Sequence, residues 1–69
     1  MSTYKIIEVV GSSEESWDDA AKGAIQTAGK TLRDLRVAEV TRLDLRMEDG
    51  KLLYRARLKL SFKVETFGQ

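Results

Sequence analysis

Few residues in this chain could do chemistry, and their types narrow the choices at once. Ser12 and Ser13 carry hydroxyls, but the sequence holds no histidine, and no lysine is arranged as a base, so a serine nucleophile has nothing to activate it. The absence of cysteine removes thiol nucleophiles, disulfides and zinc–thiolate sites. Nothing else suggests an enzyme. The carboxylates Glu14, Glu15, Asp18 and Asp19 crowd one short stretch. Their oxygens suit Ca²⁺, but the same stretch also reads as the acid-rich opening of a helix, which the helix dipole favours. No EF-hand spacing accompanies them, so a metal has no evident address. Arg55, Arg57, Lys59 and Lys63 share one parity, and a strand would place them on one face. Such a strip either meets phosphate-like anions or pairs with carboxylates on neighbouring strands. Trp17, the single tryptophan, lies on an apolar stripe and reads as a packing residue.

The elements that must position these groups can be read in order. Tyr4 to Val10, with Ile6, Ile7, Val9 and Val10, forms a near-continuous apolar run that predicts a strand buried on both faces. Gly11-Ser12-Ser13 breaks it, and Ser12 with Glu15 has the spacing of a capping box, which starts a helix near Ser13. Trp17, Ala21, Ala24, Ile25, Ala28, Leu32 and Leu35 then recur at helical spacing on one stripe, with Lys30 and Arg33 near the end where cations complement the dipole. Gly23 and Gly29 each cost about 1 kcal/mol against alanine, so with the helix alanines they predict close approach to another backbone. Asp49-Gly50 marks a type I′ hairpin turn. After it, Leu52, Tyr54, Ala56, Leu58, Leu60, Phe62 and Val64 alternate cleanly with the basic strip. Before it, Leu43, Leu45 and Met47 share their phase, whereas Ala38 and Val40 do not. A bulge near Thr41-Arg42 reconciles the two; it pairs Leu45 with Tyr54, Asp44 with Arg55, Val40 with Leu58 and Glu39 with Lys59. Glu65 is a further acidic partner for the strip.

The fold class that follows is α+β, in the order β-α-β-β, with a three-stranded antiparallel sheet covering one helix in a single domain over residues 1–69. A chain of 69 residues buries only about 60% of its unfolded surface, so a lone copy is marginal, and its sheet edges call for pairing with other copies. Twelve Lys and Arg against eleven Asp and Glu give a net charge of +1, too balanced for a nucleic-acid binder. No apolar run is long enough to cross a membrane, and no signal-like segment opens the chain, so the expected location is cytoplasmic.

Taken together, the chain resembles the dodecin family. The resemblance rests on the opening Tyr4-Lys5-Ile6-Ile7-Glu8-Val9-Val10-Gly11-Ser12-Ser13, on Ala20-Ala21, on Val37-Ala38-Glu39-Val40, and on Tyr54-Arg55 with Leu58-Lys59-Leu60-Ser61-Phe62-Lys63-Val64. It implies a hollow homododecamer, with sheets wrapped around helices, that binds riboflavin or FMN at subunit interfaces and stores rather than transforms it. In that family a tryptophan stacks on the flavin and a glutamine reads its edge; here those positions carry Val37 and Arg55. Valine has no π-face, and arginine donates but cannot accept, so the altered pocket around Val37, Asp44 and Arg55 is predicted to hold flavin weakly if at all. Arg57 and Lys63 are the further anion contacts such a pocket would offer. Arg36-Val37-Ala38, Tyr54-Arg55 and Ser16-Trp17 look more like a calcium-binding subgroup, which makes calcium the alternative ligand, held in a flavin-incompetent shell.

Overall fold

A computed structural model describes residues 2–29 and 35–64. Strand β1 (Thr3–Ser13) leads into helix α1 (Trp17–Gly29), and strands β2 (Leu35–Glu48) and β3 (Lys51–Val64) complete a sheet of order β1-β3-β2. All neighbours are antiparallel. The hairpin turn has positive φ at both central residues, 49° at Asp49 and 76° at Gly50, the left-handed geometry that suits Asp-Gly. The expected bulge is present: Val40 faces Leu58 and Arg42 faces Arg57, so Thr41 is the extra residue. A second irregularity, between Leu35 and Val37, was not foreseen.

The helix is shorter than the apolar periodicity suggested. Ser12 and Ser13 stay extended because they pair with Arg55 and Tyr54 of β3, which moves the helix start to Trp17. The cap is therefore Ser16, whose hydroxyl accepts the Asp19 N–H at 3.0 Å, and not Ser12 with Glu15. Ser13 supports it from outside the helix, accepting the Glu15 N–H at 2.9 Å and donating to Asp19 Oδ2 at 2.7 Å. Leu35, placed on the helix stripe by its spacing, begins β2 instead. Lys30, Leu32, Arg33 and Glu65 lie outside the described residues.

α1 lies across β1 and β3 and buries Ala20 against Ala56, Leu58, Leu60 and Phe62. Ile7, Val9, Ala24, Ile25 and Leu35 close around this cluster. Close approach of helix and strand occurs at Gly11, where an added Cβ would run into the Ala20 carbonyl oxygen and lie 2.9 Å from Ala24 Cβ. Gly23 has nothing within 4 Å of such an atom, so the expected close contact uses the strand glycine and not this helix glycine.

Only one face of β1 is covered. Ile6 and Val10 project from the opposite face and are 61% and 52% exposed, so β1 is not buried on both faces. The helix also leaves β2 bare: Val40, Leu43, Leu45 and Met47 share the core phase yet stay exposed. With extents of 54 × 20 × 16 Å, one chain is too thin to enclose all its apolar side chains.

Candidate ligand site on the outer sheet face

Strand alternation sends Arg55, Arg57, Lys59 and Lys63 to the face away from the helix, together with Val37, Glu39, Arg42 and Asp44 of β2. Asp44 and Arg55 sit directly opposite one another and form a two-pronged ion pair. Arg55 Nε donates to Asp44 Oδ1 at 2.7 Å and Nη2 donates to Oδ2 at 2.8 Å, both side chains being half-buried. The backbone beneath is also fixed, because Trp17 Nε1 donates to the Asp44 carbonyl at 3.1 Å while its ring meets Tyr54 edge-on at 5.2 Å. Trp17 is thus a packing residue that ties the start of α1 to the hairpin.

The hydrogen bonds from Arg55 hold the Asp44 carboxyl below its usual range, with further help from the charges of Arg55, Arg42 and Arg57 against a partial burial cost. The same pair raises Arg55. Because Asp44 is depressed, its contribution to stability is present above the unfolded carboxylate pKa and lost as pH falls through the lower folded value. The melting-temperature advantage of the wild type over Asp44→Asn is therefore expected to shrink as pH drops below about 4. A gap that stays constant down to pH 2 would contradict this linkage.

The other groups are less concentrated than their spacing implied. Lys59 lies between Glu8 and Glu39 in the register. Lys63 pairs with Tyr4, six residues along β3 from Arg57, or about 20 Å at strand rise. Val37 pairs with Ser61, so it too stands roughly 20 Å along the sheet from Arg55. One chain does not bring Val37 and the Asp44–Arg55 pair together. The acidic stretch also disperses: Asp18 and Asp19 occupy the first helical turn, whereas Glu14 reaches Lys51 at 3.7 Å. Among the described residues no three carboxylates are grouped to hold a metal. An open cleft of about 460 Å³ runs between β1 and α1, lined by Val9, Gly11, Ala20, Gly23, Ala24 and Thr27 among others, but it contains no charged side chain. One participant escaped sequence reasoning. Arg42 faces Arg57 across the bulge, a juxtaposition already contained in the register count that placed Asp44 opposite Arg55.

The dodecin family model matches residues 3–65. The chain belongs to the dodecin family. It is 43% identical over 65 residues to the calcium dodecin of Mycobacterium tuberculosis, covering 93% of this chain and 92% of that one. A dodecin of Thermus thermophilus is 38% identical over 63 residues, covering 90% and 91% of the two chains. The crystal structure of the Mycobacterium tuberculosis calcium dodecin, described as calcium-chelating with a novel calcium-binding site, superposes with a TM-score of 0.83 over 97% of each chain at 38% identity. The β-α-β-β order and antiparallel sheet are accordingly the dodecin fold. No helix among the described residues is long and apolar enough to cross a membrane.

Proposed function

We propose that this dodecin is a non-catalytic small-ligand binding or storage protein, acting in the cytoplasm as a single-domain subunit of a hollow homododecamer. Its ligand sites lie between copies and have been rebuilt against flavin. The observation carrying this reading is the Asp44–Arg55 pair: the guanidinium spends two donors on a carboxylate where the family uses an amide to read the flavin edge. Val37, 56% exposed, offers aliphatic contact in place of the stacking ring. The distance between Val37 and Arg55 within one chain supports a site completed by a second copy. So do the bare apolar residues of β2, which a neighbour would cover. Arg57 and Lys63 extend the basic lining of that shared space.

The similarity to a calcium dodecin favours a second reading, in which the shell binds calcium and Arg55 serves only to brace it. Carboxylates from more than one copy would then supply the oxygens. Riboflavin and FMN quenching, with light scattering on the same sample, tests the first reading. The expected result is the mass of twelve chains with flavin fluorescence untouched. Tight quenching by a dodecamer would return the protein to flavin storage, and a monomeric mass would remove the shared site. A melting temperature that rises with added calcium and falls again with chelator would select the second reading.

A further inference from the structure

We propose that Arg42 and Arg57 form a binding site for a phosphate-type oxyanion in the middle of the outer sheet face, separate from the Asp44–Arg55 pair. The two arginines are directly opposed across β2 and β3. Such neighbours have Cβ atoms about 5 Å apart, and like charges in that position are destabilising. The opposition is built into the backbone. Thr41, the bulged residue, donates its hydroxyl to the Arg57 carbonyl at 3.2 Å, which pins the extra residue and keeps Arg42 in register with Arg57.

The surroundings leave this pair without a full counter-charge. Neither guanidinium has a carboxylate within 4 Å among the described residues, and Arg57 faces Val10 on its β1 side. Asp44, one row along, has both oxygens engaged by Arg55. The next row, with Lys59 between Glu8 and Glu39, carries one negative charge in excess. Over the three rows Arg42, Arg55, Arg57 and Lys59 stand against Asp44, Glu8 and Glu39, a net excess of one positive charge. The two cations without a directly opposed carboxylate are Arg42 and Arg57, where an oxyanion would supply the missing counter-charge. Planar guanidinium forks match tetrahedral oxyanions with paired N–H donors, and two forks on adjacent strands can grip different oxygens of one anion. Both side chains are exposed, so the anion needs no opening motion.

The site shares Arg57 with the lining of the proposed shared space but excludes Val37, Asp44 and Arg55, so failure of phosphate binding leaves the flavin and light-scattering test of that reading unaffected, and the reverse also holds. The test is calorimetric titration and thermal melting with inorganic phosphate, at ionic strength matched with chloride. Wild type is expected to bind phosphate and melt several degrees higher than in chloride. Arg42→Gln is expected to bind phosphate about tenfold more weakly and, relieved of repulsion, to melt higher than wild type in chloride. The variant also subtracts the general stabilisation that phosphate gives any folded protein. Arg57→Gln repeats the test from the other strand if Arg42→Gln fails to fold. Glycerol phosphate, run alongside, separates the sources. Equal affinity assigns the site to the terminal phosphate of an organic ligand, and preference for inorganic phosphate assigns it to the free ion. Equal melting in phosphate and chloride, or full phosphate affinity in Arg42→Gln, overturns the proposal.

Discussion

Gly11→Ala is expected to cost about 2–3 kcal/mol, the upper range for forcing atoms into a filled interior. In a domain of this size that lowers the melting temperature by on the order of 10–20 °C. The Cβ has no room because the obstacle is backbone: the Ala20 carbonyl oxygen belongs to the first half of α1 and cannot rotate away as a side chain would. Ala24 closes the other side at 2.9 Å. Relief requires lifting the helix from β1, which loosens Ala20 from Ala56 and Leu58. Gly23→Ala is the matched control, since open space receives its methyl and helix propensity improves by about 1 kcal/mol. Thermal melts of the two variants check both statements, and an unchanged melting temperature for Gly11→Ala would mean that the helix is not seated on the strand as described.

The second large effect is a gain. Val37→Trp combined with Arg55→Gln is expected to bring flavin affinity up by about a hundredfold. Stacking a flat ring on an aromatic side chain is worth about 1–3 kcal/mol, or roughly ten- to hundredfold, and the amide restores a donor and an acceptor at the ring edge. Either change alone gives less: tryptophan without the amide leaves Arg55 held on Asp44, and the amide without tryptophan leaves no stacking surface. Arg55→Gln by itself also lowers the melting temperature, since Asp44 loses the donors that stabilise its charge. Fluorescence quenching by FMN reads the gain, and a double variant no better than wild type would show that the family's pocket does not survive in this chain.

Much of this architecture was legible because β3 alternates without interruption and the Asp-Gly turn sets its register against β2. Counting from that turn places Asp44 on Arg55 and a bulge near Thr41-Arg42, and the structure has both, with Thr41 as the extra residue. The helix boundaries were harder to read. A serine three residues before a glutamate looks like a cap in isolation, but pairing of Ser12 and Ser13 with β3 is a long-range effect that local spacing does not encode. Leu35 fits a helical period and a strand equally well, and the sheet claims it. For the candidate site, the pair partners were readable from register. Shared parity puts Val37 and Arg55 on one face but says nothing of their distance, which depends on Val37 pairing with Ser61, six residues along β3; the opposition of Arg42 and Arg57 follows from the same register.

The sheet order β1-β3-β2 distributes resistance to opening unevenly along the molecule. β2 and β3 are joined through a two-residue turn, so their ladder closes a minimal loop, whereas Thr3 meets Val64 only after nearly the entire chain has been ordered between them. Loop-closure entropy makes the second ladder the costlier one to re-form once broken. β1 is also an edge strand, held on one side by β3 and on one face by the helix through Gly11. Transient opening therefore starts at β1 and releases α1 with it, while the hairpin bearing Asp44, Arg55 and the bulge persists. Amide exchange should be fastest on the strand that opens the sequence and slowest on the two that carry the charged face.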